Sequence, residues 1–122
     1  MKTRDITRND ISELKKLYKL KTDLRFTLEN SKANLIVEEE GIKGFVIIKD
    51  IGGVNELSYW HLNPEHKLIL KGLIKKLGGK CATLEPENNK QRIELLKSIG
   101  FKQQSRIEGV YPNEKAVMLK LG

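Results

Sequence analysis

The stretch LEPENNKQRIELLKSIGFK, residues 84–102, decides the fold. It begins as a short strand, breaks at Pro86, and continues as a helix that Asn88 or Asn89 can cap. Leu95, Leu96 and Ile99 form the apolar stripe of that helix, and Gly100 supplies a left-handed stop. Phe101 follows at once and can fold back onto the last turn.

Working toward the N-terminus, a second helical pattern follows Pro64. Leu70, Leu73, Ile74 and Leu77 recur at i, i+3, i+4 and i+7, while Lys67, Lys71 and Lys75 line another face. Gly78-Gly79 ends that helix, and a strand over 80–85 leads into the opening stretch. Three strands are expected upstream, at 34–38, 43–51 and 55–62. Glu39-Glu40-Gly41 and Gly52-Gly53 connect them as hairpins, so the block reads as an antiparallel meander. The first segment, 2–7, reads as a strand. Asp10 with Glu13 resembles a capping box ahead of Ile11, Leu14, Leu17 and Tyr18, and 24–28 continues as a shorter helical piece.

Beyond Phe101, strands are expected near 103–110 and 115–121, joined by the turn Tyr111-Pro112-Asn113-Glu114. The resulting order is β-α-α-β-β-β-α-β-α-β-β. It describes one α+β domain over 1–122, with a mixed, mostly antiparallel sheet flanked by helices.

Composition narrows the classes. With 39% apolar and 32% charged residues in 122, the chain can bury a core without metal or disulfide staples. No apolar run approaches a membrane span, and the charged N-terminus lacks a signal-peptide core. The lone Cys81 has no partner for an internal disulfide, which points to a reducing, cytoplasmic setting and to a small buried residue in a strand. Two histidines and one cysteine argue against a structural zinc site, so no metal is expected. The net charge of +7 is uneven: residues 62–122 carry 12 Lys and Arg against 6 acids, whereas 1–61 carry 11 against 10. A basic half of this kind suits an anionic ligand, a nucleic acid or a solvated surface.

The element order, the Pro64 before one helix, and the Asn89-helix-Gly100-Phe101 run before the last hairpin together resemble the GNAT family of acyl-CoA-dependent N-acetyltransferases. Ala116-Val117-Met118-Leu119-Lys120 is similar to that family's last strand. The resemblance covers nearly the whole chain and implies a GNAT-like sheet, acetyl-CoA as cosubstrate and an amine acceptor, either a small molecule or a peptide. It also implies that the strand before the main helix splays from the next, that a backbone amide of Leu62 or Asn63 holds the thioester carbonyl, and that Asn89 can bond the pantetheine arm as well as cap its helix. The family's diphosphate loop corresponds to Lys67-Leu68-Ile69-Leu70-Lys71-Gly72. Lys67 and Gly72 match the pattern, Leu68 and Lys71 lie within it, and Leu70 replaces a glycine.

For catalysis the resemblance points to Glu56, which lies eleven residues before Lys67 where some relatives carry a glutamate base, with His61 as a further candidate. The family's usual acidic Tyr is replaced by Leu96, so Tyr59, His61 or Tyr111 would have to substitute if the fold brings one to the thiolate, and Arg92 stands where relatives carry a small residue, placed to snorkel or to reach a phosphate. Each has a plainer role available: Glu56 as a solvated strand carboxylate, His61 as a sheet-packing residue, and the lysines as a solvated helix face. The leading expectation is an acyl-CoA-dependent N-acyltransferase. The alternative is a GNAT-fold binding or regulatory module that has lost acetyl-CoA binding, which Leu70 and Leu96 favour. Nucleic-acid binding through the Lys-rich helix is the weakest reading, lacking a motif or interleaved aromatics. Pro64 and Asn89 are only 25 residues apart, fewer than the resemblance implies, so either the main helix is truncated or the phosphate loop is missing; edge strands and such a shortened helix are compatible with a homodimer.

Overall fold

The computed structural model describes all 122 residues. Its strands are β1 (Lys2–Arg4), β2 (Ser31–Glu38), β3 (Ile42–Ile51), β4 (Val54–His61), β5 (Cys81–Pro86), β6 (Lys102–Tyr111) and β7 (Glu114–Leu121). Its helices are α1 (Ile11–Tyr18), α2 (Leu24–Glu29), α3 (Lys67–Lys76) and α4 (Lys90–Ser98), with single 3-10 turns at Arg8–Asp10 and Pro64–His66. This is the element order expected from the sequence.

Glycine turns close the meander. Gly52 and Gly53 both adopt positive φ (60° and 87°), so the β3–β4 connection twists in the sense that antiparallel neighbours need. One seven-stranded sheet results, in the order β1-β2-β3-β4-β5-β7-β6, and only the β4–β5 pair is parallel. The helices divide between its faces. On one side, Leu14 and Leu24 from α1 and α2 pack with Ile36, Phe45 and Ile47. On the other, Leu70 and Ile74 of α3 and Leu96 of α4 pack with Val46, Leu57 and Leu119. Each fully buried aliphatic side chain contributes about 2 kcal/mol of apolar burial. No helix is long and apolar enough to cross a membrane.

The first strand is shorter than the sequence suggests. It stops at Arg4 because that guanidinium turns back to grip Asp10, with Nη1 at 2.7 Å and Nη2 at 2.8 Å from the carboxylate. Asp10 also accepts the Thr7 amide at 2.8 Å, so the capping box joins Thr7 to Asp10 rather than Asp10 to Glu13. Arg4 holds the buried Asp10 carboxyl down at about 2, below the ordinary 3.8.

The opening stretch forms as expected. The Asn89 side chain accepts the Arg92 amide at 3.3 Å and caps α4. Gly100 has φ 112°, and the Phe101 amide returns to the Leu96 carbonyl at 3.0 Å. Phe101 is buried against the same core as Leu96 and Ile99.

The feature that shapes the site is a bulge in β4. Ile47 faces Tyr59 and Ile48 faces Leu57, leaving Ser58 without an opposite number. A residue inserted in this way bends its strand and tightens the twist. Leu57 and Trp60 therefore share the α3/α4 face although three positions apart, while Tyr59 packs with the α1/α2 core. β4 and β5 are in register only at Glu56 and Ala82. Past that point the strands part.

Candidate functional site

Where the backbone ladder ends, side chains take over. The Thr83 hydroxyl lies 3.1 Å from the Leu57 carbonyl oxygen and 3.0 Å from Glu85 Oε2, and its single proton serves one of them at a time. Glu85 is only 2% exposed. Its Oε2 also accepts the Trp60 indole N–H at 3.1 Å, and its Oε1 accepts Arg92 Nε at 2.6 Å. Arg92 then donates from Nη1 to the Trp60 carbonyl at 2.8 Å and lies 4.0 Å above the Trp60 ring. A buried carboxylate is tolerable only when paired and hydrogen-bonded in this manner. The opening between β4 and β5 is thus spanned by a guanidinium from α4.

A cleft lies on each side of that span. The larger, about 680 Å³, runs between the end of β4, the start of α3 and the length of α4. Asn63, Lys67 and Lys90 line it with Arg92 and Leu95. The smaller, about 210 Å³, lies on the α1 side and is walled by Tyr18, Phe45, Tyr59 and Trp60. Trp60, His61 and Arg92 belong to both. The His61 ring packs on Tyr18 with centroids 4.6 Å apart. Burial first, and then the Arg92 charge, lower its pKa from the ordinary 6.5, so its free form is the neutral imidazole at neutral pH. Burial raises the Tyr18 phenol, which stays protonated.

Close approach of β3 fixes the end of β4. A Cβ on Gly44 would sit 2.6 Å from the His61 carbonyl oxygen and 2.9 Å from Leu62 Cδ2. Only glycine lets the two strands cross at that distance. His61 and Leu62 are thereby held at the mouth of the opening.

The structure gathers some expected residues and separates others. His61, Leu62, Asn63 and Lys67 come together along the larger cleft. Glu56 stands at the ladder end of β4, where its carboxylate accepts the Ser58 hydroxyl at 2.8 Å, outside both clefts. Lys67 opens α3 directly, so the segment through Leu68, Lys71 and Gly72 is helix rather than loop. The reason is Leu70, fully buried at the head of the apolar stripe. Leu68, Lys71 and Gly72 do not line the cleft, and Asn89 lies over a shallow depression at the start of α4. Leu96 is fully buried core. Cys81 is buried too, its thiol pushed up to about 11. No group of His, Cys, Asp and Glu converges as a metal site would.

An anionic acyl carrier can be tested against this geometry. The outer cleft suits it, since Lys67 and Lys90 line the walls and no glycine loop is needed for a point-charge contact. The inner end does not suit it in the arrangement observed, because Arg92 occupies the opening.

Glu85 escaped the sequence reading, although a signal was present. Alternation places Cys81, Thr83 and Glu85 on one strand face, and Arg92 heads the stripe completed by Leu95, Leu96 and Ile99. Opposite charges on two inward faces announce a buried pair.

The splayed β4–β5 pair within this sheet order, with two helices on each face, defines the fold of the GNAT N-acetyltransferases. Comparisons with solved structures agree. The ribosomal-protein-S18-alanine N-acetyltransferase of Escherichia coli superposes with a TM-score of 0.78 at 15% identity, covering 98% of this chain and 92% of that one. A ribosomal-protein-alanine N-acetyltransferase from Brucella melitensis gives 0.77 at 18% identity, with 98% of each chain covered. A Bacillus subtilis acetyltransferase in complex with CoA gives 0.73 at 15%, covering 98% and 95%. No protein-family model and no curated protein matches the sequence. At these identities the likeness is one of fold.

Proposed function

We propose that the chain is an acyl-CoA-dependent N-acyltransferase, most simply an acetyltransferase, acting on an amine. The observation that carries this reading is the parted β4–β5 seam with a cleft on either side, meeting at His61. The larger cleft would take the acyl-CoA, with Lys67 and Lys90 toward its anionic end. The smaller would take the acceptor. When bound, acyl-CoA supplies the acyl group and a thiol leaving group.

The chain's own residues then have defined tasks. The neutral His61 imidazole accepts a proton from the acceptor ammonium, leaving a free amine to form the new N–C bond. The backbone N–H of Leu62 or Asn63, at the end of β4, polarises the carbonyl under attack. As the C–S bond breaks, imidazolium returns its proton to the sulfur and the surplus proton on the acylated nitrogen leaves to water, so one residue serves as base and acid in place of the Tyr missing at Leu96. Glu56, far down the strand, would act on His61 only through water. Arg92 must withdraw from the Trp60 carbonyl for the two clefts to communicate.

Arg92 also favours a second reading. With the opening filled by a side chain that is paired and hydrogen-bonded, the domain would work as a binding or regulatory module without acyl transfer. A calorimetric titration with acetyl-CoA and free CoA separates the two. Micromolar binding, together with amine-dependent thiol release, supports the enzyme; no heat at millimolar ligand rules it out. His61→Gln should then lower turnover at least tenfold while leaving CoA affinity unchanged, and turnover should fall as pH drops below the His61 pKa. A variant with full activity would remove His61 from the mechanism.

A further inference from the structure

The smaller cleft has an unusual lining for a site meant to receive an amine. It contains no Asp or Glu, and its one charged wall residue is Arg92. A polyamine would find no counter-charge there. The rest of the wall is mainly aromatic, Tyr18, Phe45, Tyr59 and Trp60, with Leu20, Ser58 and His61 beside them.

Arg92 has donors to spare. A guanidinium carries five N–H groups in a fixed planar fork. In this fold Nε is used by Glu85 and Nη1 gives one hydrogen to the Trp60 carbonyl, while Nη2 makes no hydrogen bond within the protein. The side chain remains 27% exposed and walls the cleft. Glu85 offsets the Arg92 charge, so any attraction for an anion comes from directed N–H donors rather than from net charge. Such donors suit a carboxylate, which can take two of them in parallel.

From these features we propose that the smaller cleft binds a free amino acid, or a close analogue, with an aromatic or large apolar side chain. Its carboxylate meets the unused N–H groups of Arg92, and its side chain packs among Tyr18, Phe45 and Tyr59. At about 210 Å³ the cleft matches a molecule of amino-acid size and falls below the range usual for drug-sized ligands. Calling this molecule the acceptor rests on the acyl-transfer reading; its binding does not.

The test is a titration of the whole chain, by calorimetry or by the chemical shifts of His61, with L-phenylalanine, phenethylamine and spermidine in turn. Phenethylamine keeps the ring and the amine and lacks only the carboxylate. L-Phenylalanine should bind at least about tenfold more tightly than phenethylamine, a difference of about 1.4 kcal/mol, with spermidine weakest. Arg92→Lys, which keeps the charge and loses the fork, should erase that preference, so that the ratio of the two affinities falls to about one. Equal affinity for the two aromatic ligands, tighter binding of spermidine, or no binding of L-phenylalanine at millimolar concentration would each overturn the proposal. The wild-type comparison stands even if Arg92→Lys fails to fold. A parallel titration with acetyl-CoA keeps the two readings apart: L-phenylalanine bound without CoA sinks acyl transfer alone, and CoA bound without L-phenylalanine sinks this inference alone.

Discussion

The two ends of the β4–β5 seam are held by different means. At the Glu56–Ala82 end the strands are in backbone register, and the buried Asn55 amide ties the neighbouring turn by donating to the Leu77 and Lys80 carbonyls at 3.1 and 2.9 Å. At the Trp60–Glu85 end there is no ladder, and Thr83, Glu85, Arg92 and Trp60 hold the gap through their side chains. Backbone pairing is indifferent to residue identity, so a ladder survives extensive substitution. A side-chain bridge depends on every member. The contrast explains how a chain can share its sheet with acetyltransferases at 15% identity while the state of its opening rests on a few residues.

The largest effect should come from Glu85→Ala. It leaves Arg92 Nε and the Trp60 N–H without an acceptor and the Thr83 hydroxyl with the Leu57 carbonyl alone, and should cost about 3–5 kcal/mol in urea unfolding. A loss below about 1 kcal/mol would mean that the open end is not held by this pair. Gly44→Ala comes next, at about 2–3 kcal/mol, because a Cβ there collides with the His61 carbonyl and neither strand can yield without shifting the other. It should also displace the His61 resonances, and an undisturbed spectrum would show that the crossing is looser than its 2.6 Å contact implies. Smallest is Asn55→Ala, at about 1–2 kcal/mol for two lost hydrogen bonds to backbone carbonyls and one accepted from Lys32 at the surface. Its faster amide exchange should stay near Gly78 to Cys81, leaving His61 untouched. Spread to the His61 end would mean that the two ends are one cooperative unit.

The fold was legible because its signals are local. Gly52-Gly53 fixes a hairpin, Asn89 and Gly100 bracket a helix, and Leu70, Leu73 and Ile74 declare a face, each within a few residues. The site was less legible because it depends on contacts distant in sequence. Glu85 and Arg92 are seven apart, yet their meeting with Trp60 depends on how far β4 leans from β5. Leu62, Asn63 and Lys67 reach the cleft because they follow directly from the end of β4. Glu56 does not, because counting back from Lys67 fixes a place along the strand and says nothing about which end of the strand carries the opening. The segment from Lys67 to Gly72 shows the same limit: a loop pattern and a helix stripe overlapped there, and burial of Leu70 decided for the helix.

The unmatched Ser58 has one more consequence. Before it, odd-numbered positions such as Asn55 and Leu57 face inward toward α3; after it, the even-numbered Trp60 does. One residue therefore reverses the phase of the strand. An alignment that drops or adds a single position in β4 would exchange Tyr59 with Trp60 and send His61 to the wrong side of the sheet. Deleting Ser58 from the molecule would instead remove the bulge: Leu57 and Tyr59 would become neighbours opposite Ile48 and Ile47, and Trp60 and His61 would keep their faces on a straighter, less twisted strand.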